Sequence, residues 1–128
     1  MRKQKPVITD GSEKMFKAYV VWLILDGKAE ESLYTLANHY KVHTPRLKVG
    51  LPSRHRTMTL GCYVGNDETI YFLNAEALMN PFIVLHEFYH HLRMSIDKQH
   101  KGTEKYADRF AREFLEAYRS CGVKTQRL

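Results

Sequence analysis

From residue 83 to residue 92 the chain reads Ile-Val-Leu-His-Glu-Phe-Tyr-His-His-Leu, a pattern that leaves little freedom in how the segment folds. Val84, Leu85, Phe88 and Leu92 recur at the spacing of one helical face, while His86 and His90 fall on the other. On an α-helix, residues four apart are separated by about 40° around the axis and about 6 Å along it, so both imidazoles can address one ion. Glu87 stands beside them. A divalent cation held by two neutral imidazoles keeps room for water and brings its pKa toward about 7, and an adjacent carboxylate can take the proton released. The expectation is a helix with one face in a core and the other lining a cleft, carrying zinc hydrolase chemistry with Glu87 as general base. An amphipathic helix with incidental surface histidines is the plainer alternative.

Two imidazoles do not complete a metal site. Residues 103–115 read Thr-Glu-Lys-Tyr-Ala-Asp-Arg-Phe-Ala-Arg-Glu-Phe-Leu; Ala107, Phe110, Ala111, Phe114, Leu115 and Tyr118 keep a helical period, and Thr103 can cap its start. Glu104 and Asp108 share the inward face of that helix. An inward carboxylate is costly unless it meets a cation or a donor. Glu104 is therefore expected to be the third ligand, and Asp108 to accept the free N–H of a liganding imidazole, His86 in first place.

Other third ligands fit less well. A histidine six residues after His90, with glycine midway, would mark a metzincin, but those positions hold Ile96 and Arg93. His100, in the connecting segment, is the alternative ligand. It is also the favoured donor to the oxyanion that peptide hydrolysis creates, ahead of His91 and Tyr106. Tyr106 is expected on the far side of its helix from Glu104. His91 turns about 100° away from His90 and is expected at the surface or toward substrate.

His86-Glu87-x-x-His90 together with Glu104-x-x-Ala107-Asp108-x-Phe110-Ala111, preceded by Ile70-Tyr71-Phe72-Leu73-Asn74, resembles the ImmA/IrrE group of regulatory metallopeptidases, which are of the broader gluzincin type. The likeness covers residues from about 32 to 118. It implies a small curled sheet, the motif helix and a second helix bearing the glutamate, one Zn2+ per chain, and cleavage or inactivation of a helix-turn-helix repressor. The family usually carries Leu-Gly where this chain has Phe88-Tyr89, and commonly Asn at the position of Asp108. Where its helix often ends in Leu-Leu-Met-Pro, Leu115 is here followed by Glu116 and Ala117.

The remaining sequence is consistent with one α+β domain over residues 1–128. At 44% hydrophobic content the chain can bury a real core, and no repeat or interdomain linker interrupts it. Cys62 and Cys121 are too few for a disulfide framework and lack the spacing of a metal motif. They are expected as free thiols in a reducing cytoplasm, or as a pair in a hyperthermophile. The basic start and the apolar run at residues 18–25 imitate a signal peptide, but Asp10 and Glu13 interrupt the approach, no small-residue cleavage site follows, and the run is too short to span a bilayer. A helix over residues 12–25 is expected instead, opened by Asp10 and Glu13, stopped at Asp26-Gly27 and anchored in the core by Trp22.

Residues 30–40 form a second expected helix, with Leu33, Leu36, Ala37 and Tyr40 on one face. Residues 32–42 resemble the first helix and turn of a helix-turn-helix, but Pro45 and the β-forming residues after it leave no recognition helix. His39 and His43 are expected as exposed polar residues. Strands are expected at residues 47–51, 58–64 and 69–74, the last two joined by a turn at Gly65-Asn66-Asp67. An exposed edge of such a sheet can hold an extended peptide by backbone pairing. Residues 52–56 read as an exposed loop, and Pro81 suits the first turn of the motif helix. A net charge of +6 suits acidic partners, nucleic acid included, although Arg2, Lys3, Lys5, Arg46, Lys48, Arg54 and Arg56 form no defined binding motif.

Two functions follow as expectations. The first is a zinc peptidase acting on a protein or peptide substrate, in which metal-activated water attacks the scissile carbonyl with Glu87 as base. The second is a non-catalytic zinc-containing DNA- or protein-binding module, in which the metal is structural.

Overall fold

The computed structural model describes residues 12–52 and 59–121. Four helices and one mixed three-stranded sheet make an α+β fold: α1 Glu13–Leu25, α2 Ala29–Tyr40, β1 Arg46–Val49, β2 Gly61–Val64, β3 Thr69–Phe72, α3 Pro81–Ile96 and α4 Glu104–Ser120, with a short 3-10 turn at Ala77–Met79. The expected elements are all present, with strands shorter than the sequence pattern suggested. The basic residues of the N-terminus, Asp10, residues 54–56 and Met58 lie outside the described residues.

Helix α1 is capped by Ser12, whose hydroxyl accepts the Met15 N–H at 3.2 Å. It ends where Gly27, at φ +81°, lets the chain reverse, with Lys28 N–H returning to Leu23 O at 2.9 Å. Because Ala18 and residues 20–24 are all buried, α1 runs through the core rather than along its surface. Trp22 is 6% exposed, beside Tyr19 and under Lys28 Nζ, 5.4 Å from the ring centroid. Helix α2 buries Leu33, Leu36 and Ala37 and closes with Lys41 in the left-handed region at φ 60°. The chain then enters β1, so no second helix follows the turn that resembled a helix-turn-helix.

The strand order is β1-β3-β2, with β1 parallel and β2 antiparallel to β3. Ile70 and Phe72 of β3 point into a core shared with Val21 and Ile24 of α1, Leu36 of α2, Val84, Leu85 and Phe88 of α3, and Phe114 of α4. Fully burying each such side chain contributes about 1.5–3 kcal/mol. The central position of β3 leaves β1 and β2 as the edges among the described residues. No helix among these residues is long and apolar enough to cross a membrane.

Candidate metal centre

Two capped helices bring the site together. Asn80 Oδ1 accepts from Phe82 N at 3.0 Å and Pro81 occupies the first turn, which starts α3 sharply. Thr103 Oγ1 accepts from Tyr106 N at 3.1 Å and starts α4. The helices pack through Phe88 and Phe110, with ring centroids 6.4 Å apart. That packing sets Glu104, in the first turn of α4, over the His86–His90 face of α3. One ligand atom from each of His86, His90 and Glu104 lies within 4.8 Å of the others, and the three could hold a metal ion.

The partners of the ring nitrogens indicate what such a group needs. His90 Nδ1 is 2.6 Å from the Lys101 carbonyl, which can only accept, so the ring proton sits on Nδ1 and Nε2 is a bare lone pair. Nε2 is buried without a hydrogen-bond partner; Glu104 Oε2, 3.1 Å away, is itself an acceptor and lacks hydrogen-bonding geometry. Burial also holds the His90 imidazole below its usual pKa, so protonation does not resolve the conflict. His86 sits between two carboxylates, with Nδ1 2.9 Å from Asp108 Oδ1 and Nε2 2.8 Å from Glu104 Oε1, so a neutral ring can donate to only one of them. Nε2 of both imidazoles thus converges on one carboxylate, with the His90 proton committed to the Lys101 carbonyl. A cation would resolve this, and two imidazoles with a carboxylate are a donor set that zinc takes.

Glu87 is 8% exposed beside the triad. Burial pushes its carboxyl up to about 7, assisted by the Glu104 charge and opposed by His86, Lys101 and a hydrogen bond from the Tyr63 backbone. Strand β2 crosses the motif helix here. A Cβ on Gly61 would lie 3.0 Å from Ile83 Cγ2 and 3.5 Å from Glu87 Cγ, so only glycine permits this approach without displacing its neighbours. Leu73 N–H bonds to Leu60 O, and alternation along an antiparallel ladder then turns the backbone groups of Gly61 and Tyr63 to the free edge, on the Glu87 side.

Asp108 holds His86 as expected. Two other expectations are corrected. Glu104 does not face the interior: its side chain is 68% exposed, because the first turn of α4 projects beyond the core, and the unpartnered His90 Nε2 rather than desolvation of Glu104 calls for a cation. His91 is not a surface residue; it is fully buried, donating from Nε2 to His43 O at 2.7 Å and accepting at Nδ1 from the Tyr63 hydroxyl at 2.8 Å. Burial lowers its pKa and keeps it neutral. The cap of α1 within the described residues is Ser12.

His100 lies outside the triad, on the exposed loop between α3 and α4, with Nε2 3.9 Å from Asp97 Oδ2. With Tyr89, Arg93, Lys101, Thr103 and Tyr106 it lines a cavity of about 660 Å³ beside the site. A second cavity, of about 510 Å³, is lined by Tyr63, Met94 and Lys98 and holds none of the ligands. Sequence reasoning missed the Lys101 carbonyl, the Tyr63 hydroxyl and Gly61. Of these only Gly61 left a signal, as a glycine inside an apolar strand. His39 stacks on Phe16 at 3.8 Å, and His43 is exposed. Cys62 and Cys121 are free thiols.

No family model matches this chain, and neither does any curated protein or solved structure.

Proposed function

We propose that this protein is a zinc-dependent peptidase of the ImmA/IrrE type that cuts a repressor-like protein substrate in the cytoplasm. The observation that carries this reading is the convergence of His86 Nε2, His90 Nε2 and the Glu104 carboxylate, with the buried His90 Nε2 left without a hydrogen-bond partner. Two imidazoles and one carboxylate suit zinc better than calcium or magnesium, which prefer oxygen alone.

Zinc bound there would supply Lewis acidity, polarising a carbonyl and making a water acidic. The chain's own groups carry the remaining chemistry. The Lys101 carbonyl fixes His90 in the tautomer that leaves Nε2 free, and Asp108 would take the Nδ1 proton of His86 once Nε2 held a metal. Glu87, with a carboxyl near neutrality, takes a proton from the attacking water and returns it to the leaving amine. The free edge of β2 lies on the Glu87 side of the site and is the strand an extended peptide would pair with. His100 is the candidate donor to the oxyanion, from a loop that would have to close over the site.

The test is Glu87→Gln, which keeps shape and reach but removes the base. Wild type and variant, each loaded with zinc, are incubated with a repressor encoded beside the gene and the products sized. The variant should retain zinc while cleavage falls about 10² to 10⁴-fold. If both bind the partner equally and neither cuts it, the protein is instead a non-catalytic zinc-containing DNA- or protein-binding module.

A further inference from the structure

The loop joining α3 to α4 does more than connect them. Its Lys101 carbonyl fixes His90, and Gly102, at φ +80°, brings the backbone so close to α3 that a Cβ there would lie 2.6 Å from Tyr89 Cε2 and 3.0 Å from Arg93 Cγ. The cavity of about 660 Å³ formed against this loop shares its walls with the site: Tyr89 precedes His90, and Thr103 precedes Glu104. Its lining contains no carboxylate. Arg93 and Lys101 form no ion pair among the described residues, although the Lys101 charge acts on Glu87, and His100 has only Asp97, at the limit of contact. Tyr89 and Tyr106 add aromatic walls.

Cations without a close ion pair beside a hollow attract an anion, and a guanidinium fork matches the planar geometry of a carboxylate. If the substrate is a polypeptide, its ordinary anions are carboxylates. We propose that this cavity is a recognition pocket for a peptide carboxylate, which the substrate lays against Arg93 and Lys101 as its backbone passes the ligand triad. The pocket's role as a subsite rests on the peptidase reading; its selectivity for carboxylate does not. An Asp or Glu side chain and a free C-terminus present the same chemistry, and the experiment separates them.

Three heptapeptides serve as probes: one amidated with a central Glu, one amidated with Gln in its place, and the Gln peptide with a free C-terminal carboxylate. Each is titrated into full-length Glu87→Gln protein, with and without zinc, following the backbone amide resonances of Lys101, Gly102 and Thr103. At least one carboxylate peptide should bind about tenfold more tightly than the amidated Gln peptide, whichever binds tighter identifying the source. Arg93→Gln combined with Lys101→Gln should abolish the preference, and Arg93→Lys combined with Lys101→Arg should retain it. Equal binding of all three peptides, or a preference that survives the double glutamine variant, overturns the proposal. Selectivity that persists alongside a wild type unable to cleave keeps the carboxylate pocket and overturns only the peptidase reading.

Discussion

His90 and His91 are neighbours on one helix, both buried, and the fold treats them in opposite ways. Each nitrogen of His91 has a partner of the right kind, the Tyr63 hydroxyl at 2.8 Å and the His43 carbonyl at 2.7 Å, so the ring ties α3 to β2 and to the segment before β1. His90 has one nitrogen bonded to Lys101 and the other aimed at a carboxylate that cannot donate to it. A turn of about 100° around the helix separates a cross-brace from a candidate ligand. Residue type and burial are the same in both; the difference lies in what the second nitrogen meets.

The largest effect expected from breaking this contrast falls on the ligand side. Purified wild type should hold about one zinc per chain, and His86→Ala or His90→Ala should reduce it to about none. Glu104→Ala should weaken zinc far more than His100→Ala, which removes a side chain lying outside the triad. Metal analysis and chelator titration read both results. A wild type that neither contains nor takes up zinc would remove the basis for the site, and the reverse order of Glu104 and His100 would move the third ligand to the loop.

On the brace side, His91→Ala should destabilise the fold by about 2–4 kcal/mol, because it opens a cavity and strands the Tyr63 hydroxyl and the His43 carbonyl. Zinc stoichiometry of the folded protein should not change. Thermal or urea melts of the zinc-free protein measure the loss; normal stability with missing zinc would make His91 part of the site.

A smaller effect lies between the two classes. Asp108 does for His86 what the Lys101 carbonyl does for His90, and Asp108→Ala should lower zinc affinity by about 10 to 100-fold while leaving a folded protein in excess metal. Competition with a chromophoric chelator gives the number. An unchanged affinity would reduce Asp108 to a helix carboxylate beside Arg112, whose Nη2 lies 4.0 Å from it.

Much of the scaffold was legible because its signals are local. The face of α3 that carries Val84, Leu85 and Phe88, the Thr103 cap of α4 and the turn before β3 each depend on residues within one or two helical turns or a hairpin of one another. The inward reading of Glu104 failed for a related reason. Helical period sorts residues around an axis but does not say how far a helix end projects beyond the core, and the first turn of α4 projects into solvent. His91 was misjudged because its partners, Tyr63 and His43, lie 28 and 48 residues away and leave no trace in the helical period.

By itself the sequence determined that His86 and His90 share a helix face with Glu87 between them, since helical geometry alone sets that spacing. It also determined that Asp108 follows Glu104 by one turn, ready to stand behind whatever Glu104 reaches. Only the tertiary structure decided what each ring nitrogen meets. Tautomer depends on the acceptor each Nδ1 meets, and those acceptors, the Lys101 carbonyl and the Asp108 carboxylate, arrive from a loop and a second helix that the core packing of Phe88, Phe110 and Phe114 holds against α3.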